Sequence, residues 1–161
     1  MRDTPDLDWL VLTKRPQLAP RMLPKWWGDG PANVWLGGTV EDQTEARRRL
    51  PHLLAVPAAV HWLSVEPLLE PLDLRPWLDR LAWVVVGGES GGGARAMQPA
   101  WVRAIRDQCA EIGTAFWFKQ TGANRGPWPG ATGKGENLLE LPRDLRIRAL
   151  PSAVGRSNAV S

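Results

Sequence analysis

The chain predicts an α/β fold with a parallel sheet of about five strands, and three observations carry that prediction. Five short apolar runs, rich in β-branched and aromatic side chains, recur along the 161 residues. Each run stops at polar or charged residues. Helical patterns or irregular crossovers too long for a hairpin separate them, which makes neighbouring strands parallel. The clearest run, Trp83-Val84-Val85-Val86, reads as a strand buried on both faces and ends in Gly87-Gly88-Glu89-Ser90. One such ending, taken alone, also fits a tight turn whose polar residues face water. Recurrence favours the other meaning, because in a parallel sheet all these ends share the edge where α/β folds bind ligands.

Trp9-Leu10-Val11-Leu12 is the first strand, ending in Thr13-Lys14-Arg15. Pro16 suits the first turn of a short helix through Leu23, stopped by Pro24. Lys25 to Ala32 reads as a loop. The second strand, Asn33 to Gly38, ends at Thr39 and Glu41. Asp42 followed by Glu45 matches a capping box, so a helix runs to about Ala55 with Ala46, Leu50, Leu53 and Leu54 inward. Pro51 is expected to kink it, and Arg47, Arg48 and Arg49 fit a phosphate patch or, as the favoured reading, its solvated face.

Val60-His61-Trp62-Leu63 is the third strand, ending in Ser64 and Glu66; His61 reads as a hydrogen-bonded structural residue. A short helix near Pro76 to Arg80 is the most that the proline-rich crossover allows. After the fourth strand, Gly91-Gly92-Gly93 and Arg95 form a flexible loop. A helix from about Gln98 to Ile112 puts Trp101, Ile105, Cys109 and Ile112 on its buried stripe, with Gly113 as cap. Cys109 is therefore an inert core thiol. The fifth strand, Ala115 to Phe118, ends in Lys119-Gln120. Residues 1–122 form the sheet domain, 123–150 a Gly/Pro-rich surface loop and extension, and 151–161 a disordered tail.

Composition narrows the function classes. With 43% hydrophobic and 23% charged residues the chain is globular, and a net charge of +3 is no strong nucleic-acid signal. Ten Trp beside no Tyr and two Phe supply either stacking platforms or, for most of them, packing. No apolar run is long enough for a membrane span and no signal peptide is visible, which points to a cytoplasmic protein. A single cysteine excludes a disulfide framework and a cysteine-built metal site within this chain. Gly91 to Ala96 fits a dinucleotide-binding pattern only loosely, and Gly133-Lys134-Gly135 lacks the rest of a phosphate loop. No catalytic residue and no metal ligand is assigned.

The candidate ligand-binding residues are those at the strand ends: Lys14, Arg15, Glu41, Ser64, Glu66, Glu89, Ser90, Lys119 and Gln120, with Arg95 from the glycine loop. The motifs around them, Leu12-Thr13-Lys14-Arg15-Pro16, Val34-Trp35-Leu36-Gly37 with Val40-Glu41, Leu63 to Leu69, Trp83 to Gly91 and Phe118-Lys119-Gln120, occur in order. Together they resemble the phage gene-product thirty-seven/sixty-eight family, a group that looks like radical-SAM enzymes. The similarity covers roughly Thr4 to Gly122, and residues after Asn124 have no counterpart in it.

The resemblance implies part of a TIM-like, radical-SAM-type barrel. Full-length members begin with a C-x6-C-x2-C motif expected to hold a [4Fe–4S] cluster, and this chain has no such motif. The expectation is therefore a truncated or degenerate member that is inactive alone. By position Glu41, Ser64 and Glu66 are candidates for the ribose and methionine parts of S-adenosylmethionine, with Glu89 and Ser90 near substrate. Lys14, Arg15, Arg95 and Lys119 could then bind anionic groups. Alternatively Lys14, Glu66, Glu89 and Lys119 form an ion-pair network that only holds the mouth together. Two other functions remain open: a nucleotide or nucleic-acid binding module, and one half of a split enzyme whose partner segment or subunit brings the cysteines. The second would cover an unpaired strand edge near Leu10.

Overall fold

The computed structural model describes residues 1–152; most of the tail expected at 151–161 lies outside them. Five strands form one sheet: β1 (Trp9–Thr13), β2 (Val34–Thr39), β3 (Val60–Val65), β4 (Trp83–Gly87) and β5 (Ala115–Gln120). Every pairing is parallel and the order is β1-β2-β3-β4-β5, so the fold is α/β with an open, all-parallel sheet. Between the strands lie α1 (Ala19–Met22), α2 (Gln43–Ala55), α3 (Arg75–Leu78) and α4 (Pro99–Ile112), with 3-10 turns at Pro16–Leu18 and Lys25–Trp27.

The two long helices start and stop where their sequences say they should. Asp42 accepts a hydrogen bond from the Glu45 N–H at 2.7 Å, capping α2. Pro99 opens α4, and Gly113 closes it at φ 87°, a left-handed conformation that glycine adopts without strain. Ala46, Leu50, Leu53 and Leu54 of α2 and Val102, Ile105 and Cys109 of α4 pack in one core with Leu36, Leu63, Val84, Val86, Phe116 and Phe118 of the sheet. Sequential parallel strands with same-handed crossovers put their helices on a single face.

Two expectations change here. The buried stripe of α4 is Val102, Ile105, Gln108 and Cys109, while Ile112 is exposed and Trp101 half-buried. Gln108 takes an inward position on this stripe, its side-chain amide bonded to Leu72 and Leu74 in the crossover at α3. Residues 123–150 are also more than a surface loop. Trp128, Leu141 and Leu145 are buried in the main core, and the Trp128 indole N–H donates to the Met97 carbonyl at 2.8 Å. The last described residues cover the outer edge of β5: Phe118 N donates to Ile147 O at 2.9 Å and Ala149 N to Phe116 O at 3.0 Å.

Candidate functional site

The strand register sorts side chains onto the face opposite the helices. Trp35, Gly37 and Thr39 of β2 lie beside Val60, Trp62 and Ser64 of β3. Trp62 and Ser64 lie beside Trp83 and Val85 of β4, and Trp83 and Val85 beside Ala115 and Trp117 of β5. Leu10 and Leu12 continue the face onto β1. It is layered: indoles at the amino-terminal end, then small and hydroxyl side chains, then charges.

The indole layer is closed by contacts among its own members. Trp83 packs at ring-centroid distances of 6.5 Å from Trp35, 5.6 Å from Trp62 and 5.8 Å from Trp117. Trp62 Nε1 donates to Trp35 O at 3.2 Å and Trp83 Nε1 to Ala149 O at 2.9 Å. These tryptophans serve packing.

Above them the sequence candidates form four groups. At the β1 and β2 ends, Lys14 Nζ lies 2.6 Å from Glu41 Oε1, while Arg49 Nη1 lies 2.9 Å from Glu41 Oε2. At the β3 end, Ser64 Oγ donates to Glu66 Oε1 at 3.2 Å and Lys119 Nζ reaches Glu66 Oε2 at 2.9 Å from β5. That pair spans β4 over Gly87, where a Cβ would stand 2.7 Å from Glu66 Oε2. At the β4 end, Arg95 grips Glu89 with Nε at 2.9 Å, Nη2 at 2.7 Å and its backbone N–H at 2.8 Å. These bonds hold the Glu89 carboxyl at about 2, well below the usual range. Finally, Gln120 Nε2 donates to Ser90 Oγ at 2.7 Å.

The groups share one field. The Arg95 guanidinium is held above its ordinary pKa mainly by its hydrogen bond to Glu89, and the Glu41 charge adds to that effect from the β2 end. Arg15 stands apart and exposed, its backbone N–H donating to Thr13 Oγ1 at 3.0 Å. The mouth is thus organised as ion pairs, though not as the single network of Lys14, Glu66, Glu89 and Lys119. Lys14 pairs with Glu41, Lys119 with Glu66, and Glu89 with Arg95.

Arg49 was missed and belongs to the site. It is not on a solvated face: only 11% of its side chain is exposed, and it also donates to Thr39 O at 2.7 Å. The available signal was Glu45 one helical turn earlier, with Arg49 Nε now 2.5 Å from Glu45 Oε2. The loop at Lys134 was missed as well; its carbonyl accepts from Gly122 N at 3.0 Å and from Thr121 Oγ1 at 3.2 Å, bracing the β5 end.

Among the described residues no group of three or more His, Cys, Asp or Glu could hold a metal ion. Cys109 is buried in α4, and burial pushes its thiol up to about 12. His61 is a structural residue on the helix side: its Nε2 lies 2.9 Å from Val56 O, and burial lowers its pKa. No helix among the described residues is long and apolar enough to cross a membrane.

A protein-family model described as "Protein of unknown function (DUF5131)" matches residues 1–150. The chain belongs to this family. For this DUF5131 protein the match extends past Gly122 and takes in the segment that buries Trp128, Leu141 and Leu145. No curated protein and no solved structure matches the chain.

Proposed function

We propose that this DUF5131 chain is a radical-SAM-like protein of the phage gene-product type that keeps a ligand-binding edge on the S-adenosylmethionine and substrate side. The observation that carries the reading is an asymmetry within two ion pairs. Glu41 and Glu66 are anchored, with side chains 13% and 19% exposed, whereas their partners Lys14 and Lys119 are 61% and 53% exposed. Buried carboxylates suit an amino group or ribose hydroxyls, and the exposed cations can turn to a ligand carboxylate. Ser64, already bonded to Glu66, adds a hydroxyl to the same spot. Glu89, Ser90 and Gln120 stand at the adjoining ends, towards the substrate side.

A partial TIM-like barrel is part of this proposal. It is supported by the sequential strand order, by helices on one face, and by the layered side chains on the other, an arrangement that barrel interiors share. The chain's own residues do not fit an iron–sulfur cluster: its one cysteine is sealed in the α4 core. This chain is therefore a binding unit, and radical chemistry belongs to a complement of thiolates from a further segment or subunit. The nucleic-acid reading has less to stand on, because the tryptophans pack on one another and the mouth cations Lys14, Lys119 and Arg95 each face a carboxylate.

Titration calorimetry with S-adenosylmethionine tests the reading. Binding by the parent chain is expected, weakened about tenfold or more, or about 1.4 kcal/mol, in Glu66→Gln and in Glu41→Gln. A parent that does not bind, or variants that bind as tightly as the parent, would overturn the assignment. Binding of an oligonucleotide that collapses with added salt would favour the basic-groove alternative.

A further inference from the structure

Arg49 differs from the other cations of the mouth, because it comes from a helix and is buried. It follows Ala46 by one turn of α2 and adjoins Leu50, both fully buried in the core, so its stem starts from a packed surface. Its guanidinium reaches three acceptors: Thr39 O at 2.7 Å, Glu41 Oε2 at 2.9 Å and Glu45 Oε2 at 2.5 Å. Thr39 ends β2, Glu41 follows it, and Glu45 lies in the first turn of α2. One planar fork thus joins the strand end to the helix.

The charges around Glu41 and Glu66 are unlike. Glu41 meets Lys14 on Oε1 and Arg49 on Oε2, Arg48 stands on the neighbouring Glu45, and the Glu41 charge also acts on Arg95. Among the described residues, Glu66 meets Lys119 and no further cation. A ligand ammonium at Glu41 would add a cation to a carboxylate compensated on both oxygens, beside a buried guanidinium that cannot move away to water. Hydroxyl groups bring no charge, and each carboxylate oxygen has a second lone pair with which to accept from them while Lys14 and Arg49 stay in place. We propose that Arg49 is a positioning residue that commits Glu41 to the hydroxyl groups of a sugar and leaves a ligand's ammonium group to Glu66. On the S-adenosylmethionine reading of the mouth, on which this assignment rests, the ribose lies at the β2 end and the amino group at the β3 end.

NMR titration of the full chain with adenosine, with dideoxyadenosine, which lacks both ribose hydroxyls, and with methionine tests the assignment. The parent should bind adenosine about tenfold more tightly than dideoxyadenosine. Glu41→Gln and Arg49→Gln should each reduce that preference to within about twofold, and the double variant should lose nothing more, because both changes remove one contact. Methionine binding should stay within about twofold of the parent in Arg49→Gln and fall about tenfold in Glu66→Gln. Arg49→Lys keeps the charge without the fork; it should retain a preference of about threefold, and it carries the test if Arg49→Gln does not fold. A parent that binds neither adenosine nor methionine would overturn the S-adenosylmethionine reading and this assignment together. A parent that binds both would overturn the assignment alone in any of three cases: it is indifferent to the ribose hydroxyls, an Arg49 variant keeps the full preference, or Arg49→Gln weakens adenosine and methionine alike.

Discussion

Gly37 and Gly87 are small because of side chains on the strand next door. The Trp62 indole lies across Gly37, and the Glu66 carboxylate lies across Gly87. A methyl group at Gly37 would overlap a rigid ring already held by the Trp35 carbonyl, and Gly37→Ala should cost about 1–3 kcal/mol in urea unfolding. At Gly87 the obstacle is the end of a flexible side chain, which can swing aside. Gly87→Ala should therefore leave the urea midpoint nearly unchanged while weakening S-adenosylmethionine binding, since Glu66 loses its place beside Lys119. Glu89 makes a pH-dependent prediction. Its carboxyl is lowered from 4.5 to about 2 by Arg95, so the stabilisation it brings is complete above 4.5 and is lost as the pH falls toward 2. Arg95→Ala should return Glu89 to the ordinary carboxylate range in an NMR titration and loosen the loop from Ser90 to Ala94 at neutral pH.

At the scale of elements, polar side chains on two helices do what strand pairing does elsewhere. Gln108 of α4 accepts from Leu74 N at 2.7 Å and donates to Leu72 O at 2.8 Å, and Gln43 of α2 clasps Asp73 through its N–H at 2.7 Å and its carbonyl at 3.2 Å. The crossover from Pro67 to Arg75 is thereby pinned between the helices without a strand of its own. Gln108→Ala strands two buried backbone groups and should destabilise the chain by about 2–4 kcal/mol, read from urea denaturation. Helical periodicity located both helices, their caps and the inward residues of α2. It could not find Gln108 or Arg49, because a search for apolar spacing passes over a buried amide or guanidinium. It placed Ile112 inward although the helix ends there, at Gly113, beyond the reach of the sheet.

On the scale of the whole molecule, the segment after β5 closes the outer edge of that strand. Arg148 donates to Lys119 O at 3.0 Å and Glu136 O at 2.6 Å, and its guanidinium lies 5.7 Å from the Trp117 ring centroid. Arg148→Ala should speed amide exchange at Phe118 and Ala149 by about tenfold or more, with less effect on β2 and β3. Asp144, held at about 2 by Arg103 and then Arg106, ties the same segment to α4, and the stabilisation it brings is complete above pH 3.8 and is lost as the pH falls toward 2. By itself the sequence determined the five strands, their parallel direction and the polar residues at their ends, because apolar period, glycine and crossover length are local and leave a local mark. Only the tertiary structure decided that Lys14 meets Glu41, that Lys119 crosses Gly87 to reach Glu66, and that residues 147–149 cover the outer edge of β5. Those pairings join residues far apart in the chain, where no periodicity links one partner to the other and only the packed backbone sets the distance between them.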